Sequence, residues 1–236
     1  MLSVAKSLAV AFSVCLSVPV AAEKITIAAA SDLKFAMDEI VTGFREANPA
    51  DTVEVVYGSS GKFQTQIRQG APYDLFFSAD IAYPRELARS GFASSEAKRY
   101  AFGRIVLWSA TLDASKMTLV SLADPKITRI AIANPRHAPY GKRAEEALRA
   151  SGLWDKVEPR LVYGESISHT AQFVLTGAAQ VGILDLSLAL NTAPAGPGRY
   201  VPTPDKPPAP TRQGNTVTTP RAGHCQPPCY ATSRRR

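Results

Sequence analysis

Four segments of this chain place small or hydroxyl-bearing residues where a strand-like run gives way to a helix-like one. They are AAASDLKF (28–35), YGSSGKF (57–63), NPRHAPYGKR (134–143) and GESISHTAQF (164–173). The first N–H groups of a helix have no partner inside it, and the aligned peptide dipoles put about half a positive charge at that end. Such an end attracts an anion without any Lys or Arg. Ser31 and Ser60 can each add a hydroxyl donor to the neighbouring amides. Taken singly, a serine at a helix start reads more simply as an N-cap bonded to an amide of its own helix. Neither Ser31 nor Ser60 has Glu or Gln three residues on, because Lys34 and Phe63 stand there, so no capping box supports that reading. Tyr140 by itself reads as a packed aromatic. Only the set of four junctions points to an anion.

Catalytic patterns are scarce. The chain has no G-x-S-x-G, no H-E-x-x-H, and neither the Walker nor the dinucleotide glycine spacing. A Ser-His-Asp triad can be drawn from Ser31, from His137 or His169, and from Asp74 or Asp80, but a triad is defined by geometry rather than composition. Asp32, Asp80 and Asp185 read as helix-start or turn residues. Residues 23–224 contain no cysteine, so the body has neither a disulfide framework nor a thiolate metal site. Cys225 and Cys229, in HCQPPC, are loosely spaced in a proline-rich context and read as incidental. The expectation is a binding protein rather than an enzyme, with no cofactor and no residue that ligates a cation directly.

The elements that must position these junctions alternate along the chain. KITIAAA, TVEVVY, YDLFFSA, RIVLWS, RIAIAN, RLVYG and VGILDL read as strands. Helices are expected over 32–47, from Ser60 to Gln69 with Gly70 as the stop, through PRELARS, over YGKRAEEALRAS, and near 167–176. In the first helix Leu33, Met37, Ile40, Val41 and Phe44 share one face. Strands alternating with helices imply mostly parallel sheets covered on both sides, and ligands in such sheets bind outside the carboxyl ends of the strands. About 180 residues of such units suggest two lobes.

The ends differ from the body. Lys6, the apolar run LAVAFSVCLSV and the small residues Val20 and Ala22 come in the order of a secretory signal peptide cut after Ala22, and the run is too short to span a bilayer. Cys15 follows Val14, a poor lipid-attachment context. The formal net charge is +7, yet residues 23–200 hold 20 Lys and Arg against 19 Asp and Glu. A nucleic-acid partner is not expected, since the basic excess lies outside the body. Residues 194–236 hold ten of the 18 prolines and little apolar periodicity, and read as disordered.

The quoted segments, in their order and spacing from about Lys24 to Tyr200, resemble the periplasmic molybdate-binding proteins of ABC importers. The resemblance implies an α/β, two-lobed periplasmic-binding-protein fold of type II, each lobe a mostly parallel sheet flanked by helices, with the ligand cleft between them. Residues 1–22 would be the signal peptide, 23–104 the first lobe, 105–198 the second, and 199–236 a return to the first lobe with a degenerate tail. It implies that molybdate or tungstate is held by neutral hydrogen bonds from Ser31, from the Asp32 backbone N–H, and from Ser60. Tyr140 would add its backbone N–H, and Ile167 a further one. Some members use a tyrosine hydroxyl where this chain has Asp185; a carboxylate there must point away, be protonated or weaken the site, and Tyr140 is expected to supply the hydroxyl instead. Members continue with a strand and a helix that complete the first lobe, which the tail of this chain does not show. Expected partners are the oxyanion and an importer's membrane permease, with no sign of an oligomer. A receptor for sulfate or phosphate, a two-lobed enzyme and a non-functional truncated product remain as alternatives.

Overall fold

The computed structural model describes residues 23–192, 200–202 and 210–219, so the expected signal peptide and most of the tail lie outside the described residues. Two five-stranded sheets organise the chain. The first has the order β2-β1-β3-β10-β4, built from β1 (Lys24–Ala30), β2 (Thr52–Gly58), β3 (Leu75–Ser78), β4 (Lys98–Gly103) and β10 (Thr211–Val217). The second has the order β7-β6-β8-β5-β9, built from β5 (Ile105–Trp108), β6 (Ile130–Ala133), β7 (Leu161–Gly164), β8 (Val181–Asp185) and β9 (Tyr200–Pro202). In each sheet three neighbouring strands run parallel, and one strand is antiparallel to both of its neighbours: β10 in the first, β5 in the second.

The helices follow from the same alternation. They are α1 (Lys34–Ala47), α2 (Ser60–Arg68), α3 (Ala82–Arg89), α4 (Pro139–Ala150), α5 (Trp154–Val157), α6 (Ile167–Leu175) and α7 (Leu186–Thr192). Successive side chains of a strand point to opposite faces, and β1 shows the consequence. Ile27 and Ala29 join Met37 and Val41 of α1 in one core, while Ala28 joins Phe63, Ile67, Phe76 and Leu87 in another under α2 and α3. The second sheet has a single larger core around Val106, Trp108, Ile130, Ile132, Leu148 and Ile183. The buried stripe of α1 is narrower than its apolar pattern: Met37 and Val41 are buried, whereas Ile40 is 64% and Phe44 37% exposed.

Residues expected to be disordered form part of the first sheet. Thr211–Val217 is paired along both edges, to β3 on one side and β4 on the other. Its interior positions are filled by Thr211, Gln213, Gly214 and Thr216 instead of Val or Ile, which is why hydropathy did not reveal it. Tyr200–Pro202 likewise pairs with β5. The chain thus passes from the first sheet to the second between Gly103 and Ile105, and has returned to the first by Thr211.

Candidate functional site

The carboxyl ends of the parallel strands in the two sheets face one another, and the helix starts that follow them meet there. Ser31, Asp32, Ser60, Tyr140 and Ile167 all line one pocket, together with Ala30, Gly58, Ser59, Ala79, Ala138 and Pro139. Ser31 and Asp32 form a single 3-10 turn between β1 and α1. Ser60 is the first residue of α2, Tyr140 the second of α4, behind Pro139, and Ile167 the first of α6. Helix-start amides lack intrahelical acceptors, so each of these residues brings donors to the pocket. Among the described residues, no Lys or Arg lines it.

The two serines are not N-caps. Neither turn nor helix shows a side-chain cap bond from them; the cap positions are Ala30 and Ser59. Ser60 Oγ instead accepts the Ala79 N–H at 3.0 Å, and Ser31 Oγ accepts the Ser168 N–H at 3.3 Å. A hydroxyl that accepts a backbone N–H keeps its own proton to donate. Both serines are therefore held as donors. Ser166 is a true cap, accepting the His169 N–H at 3.2 Å.

Tyr140 differs from expectation. Its hydroxyl, expected to reach a ligand, donates to Asp32 Oδ2 at 3.1 Å and accepts from Gln213 Nε2 at 2.8 Å; Gln213 Nε2 also lies 2.7 Å from Asp32 Oδ2. The hydroxyl is engaged inside the protein because a buried carboxylate stands within reach. Burial, and then the negative charge of Asp32, push the Tyr140 phenol well above its usual range. Asp32 is pushed up to about 7, first by burial and second by Asp185. Gln213 was invisible to sequence reasoning, since it sits in the segment read as disordered. The one signal was the density of β-branched Thr around it.

Asp185 is buried but does not line the pocket. Its Oδ2 accepts the N–H groups of Ser187 at 2.9 Å and Leu188 at 3.3 Å, and the Ser187 hydroxyl, so it caps the start of α7 and points away from the pocket. Burial raises its carboxyl.

The drawn triad is not assembled. His137 Nδ1 bonds Ser59 Oγ at 2.9 Å, not Ser31. His169 packs against Phe173 with the rings tilted by 41°, Asp74 accepts the Thr26 N–H, and Asp80 accepts the Ala82 N–H. Both glycines of GSSG stand where a side chain would clash. A Cβ on Gly61 would lie 2.7 Å from the His137 carbonyl oxygen, and one on Gly58 would meet the Phe63 ring. Gly61 lets the two halves touch: its N–H donates to that carbonyl at 2.9 Å. Lys62 is half exposed and pairs with Glu165 across the cleft.

A family model for bacterial extracellular solute-binding proteins matches residues 25–226. The chain belongs to this family. This solute-binding protein is 37% identical over 185 residues to the molybdate-binding protein ModA of Rhodobacter capsulatus, a match covering 78% of this chain and 72% of that one. Across the first curated relatives it spans between 62% and 72% of their length. Among solved structures, the Azotobacter vinelandii periplasmic molybdate-binding protein superposes with a TM-score of 0.75 at 31% identity, covering 84% of this chain and 87% of that one. The substrate binding domain of a putative molybdenum ABC transporter from Clostridium difficile gives 0.58 at 29% identity, covering 84% and 85%. The architecture is thus the two-lobed type II fold of periplasmic binding proteins, as the sequence resemblance implied.

Proposed function

We propose that this solute-binding protein captures molybdate or tungstate and delivers it to the membrane permease of an ABC importer. The observation that carries the reading is the convergence of Ser31, Asp32, Ser60, Tyr140 and Ile167, from four helix starts in two lobes, on one pocket whose described lining includes no Lys or Arg. Helix-start amides and the two serine hydroxyls replace the hydration shell of a tetrahedral dianion, and the dipoles of α2, α4 and α6 favour its charge. Because the donors are fixed and neutral, an anion of the wrong radius meets long, poor hydrogen bonds. The names of the relatives support molybdate, and their being binding proteins supports a chain without catalytic activity or cofactor.

Transport requires export. Residues 1–22 act in this reading as a signal peptide that sends the chain to the periplasm, where it works as a monomer and binds no nucleic acid. The contacts that close the pocket cross between the lobes: Ser168 Oγ–H donates to the Ser31 carbonyl at 2.9 Å, and Ser187 Oγ lies 2.8 Å from the Asp32 carbonyl.

Thermal melting tests the reading. A ligand that binds only the folded state stabilises it by mass action, about 2.7 kcal/mol at a hundred times Kd. Molybdate and tungstate should raise the melting temperature, and sulfate and phosphate should leave it unchanged. A rise with sulfate or phosphate alone would reassign the protein as a receptor for that anion.

A further inference from the structure

Two carboxylates meet behind the pocket, one from each lobe. Asp32 is 4% exposed and Asp185 2%. Ser187 links them, its Oγ in contact with the Asp32 carbonyl oxygen and with Asp185 Oδ2. The groups that face Asp32 are neutral or negative: Tyr140 from α4, Gln213 from β10, and Asp185 from the end of β8. Tyr100 on β4 feels both carboxylates, and burial and those charges keep its phenol neutral; its hydroxyl donates to the Ser78 carbonyl at 3.0 Å. Among the described residues, no Lys, Arg or His forms an ion pair with either carboxylate. Two negative charges buried side by side without a cation cannot both persist, so the pair holds a proton.

The hydrogen bonds say where the proton sits. Asp185 Oδ2 collects two backbone N–H groups and a hydroxyl at the start of α7, all of which favour its ionised form. Asp32 Oδ2 accepts from Tyr140 and Gln213, while Asp32 Oδ1 is buried with no hydrogen-bond partner among the described residues. An ionised Oδ1 left bare in this place is costly, and beside a bound dianion it would repel the ligand. An acid carries its proton on the oxygen that has no donor pointing at it, and Asp32 lines the pocket.

We propose that Asp32 takes part in anion capture as a carboxylic acid, its Oδ1–H donating to an oxygen of the oxyanion, so that binding is coupled to holding one proton on the Asp32–Asp185 pair. The inference rests on the oxyanion reading above and deepens it. The proton balance is explicit: where Asp32 is already protonated no proton moves, and where it is ionised one proton is taken from solvent for each dianion bound. Gln213 and Tyr140 act as positioning residues, since their two donors occupy Oδ2 and leave Oδ1 to carry the proton.

Titration calorimetry with sodium molybdate, in two buffers of different ionisation enthalpy from about pH 5.5 to about pH 8.5, reads the proton count directly. Proton uptake should be near zero at the acid end and approach one at the alkaline end. Above about pH 7, where Asp32 ionises, Kd should weaken about tenfold for each further pH unit. In Asp32→Asn, whatever its absolute affinity, Kd and proton count should no longer depend on pH. In Asp185→Asn the onset of weakening should move to lower pH, because the charge that holds the proton on Asp32 is gone; this second variant decides the matter if the first does not fold, as its melting curve will tell. Infrared spectra of the unligated protein at neutral pH should show an acid carbonyl stretch that Asp32→Asn loses. Molybdate binding with a flat pH profile and no proton uptake would overturn the inference and leave the oxyanion reading standing. A pH dependence that survives in Asp32→Asn would also overturn it, and the absence of molybdate binding at every pH would remove both.

Discussion

Ser60 and Ser31 resemble helix caps in sequence, yet each accepts a backbone N–H from a different segment and keeps its proton for the pocket. That distinction lies in the partner, which only the fold supplies. Ser60→Ala removes one donor to a charged ligand, a bond worth about 1.5–3 kcal/mol. Molybdate affinity measured by titration should fall about ten- to a hundredfold, with the cooperative melt retained. Asp32 makes a separate prediction without ligand. Its carboxyl is raised from 3.8 to about 7, so the folded chain holds a proton that the unfolded chain releases. The stability this gives is fully present below about pH 3.8 and is lost as pH rises through about 7. Urea midpoints should therefore fall across that window in the parent protein and fall less in Asp32→Asn. An equal fall in both would assign the effect to other groups. The five pocket residues were legible from spacing and resemblance, but the Asp32 side chain, Tyr140 hydroxyl and Gln213 network was not, because it joins residues far apart in the chain.

Among the elements, β1 and β6 follow the sequence pattern closely as continuous apolar runs, and β2 and α2 because apolar residues recur with the period of the structure they adopt. Three strands did not announce themselves: β4, the short β9, and β10. In β4, KRYAFG, most positions are exposed or half-buried; in β10, TRQGNTV, polar residues fill buried positions. β10 nonetheless stands between β3 and β4, so the first sheet is continuous only through it. Gly214 marks how closely it is packed: a Cβ there would lie 2.4 Å from Ile81 Cγ1. Gly214→Val should overpack this contact and lower stability by about 1–3 kcal/mol, read as a drop in melting temperature. An unchanged melt would mean that the strand is not held in the sheet as described.

In the proposed function the molecule as a whole works by bringing two lobes together over an anion that neither could enclose alone. The lobes meet through backbone as much as through side chains. The Gly61 N–H to His137 carbonyl bond needs the bare Cα of glycine, whereas the Lys62–Glu165 pair is half exposed and adds little. Gly61→Ala should accordingly weaken molybdate binding and leave the scattering radius larger after ligand is added, without lowering the melting temperature of the unligated protein. The lobes themselves were legible in the alternation of strands and helices; the return of the chain to the first lobe was not, since its strand is polar. The central claim is that this cleft holds a tetrahedral dianion of one size by neutral donors. Calorimetric titration of the unligated protein near pH 6 with molybdate, and with sulfate in parallel, tests it most directly. Saturable one-site heat with molybdate and none with sulfate is the predicted result; saturable heat with sulfate and none with molybdate would contradict the account.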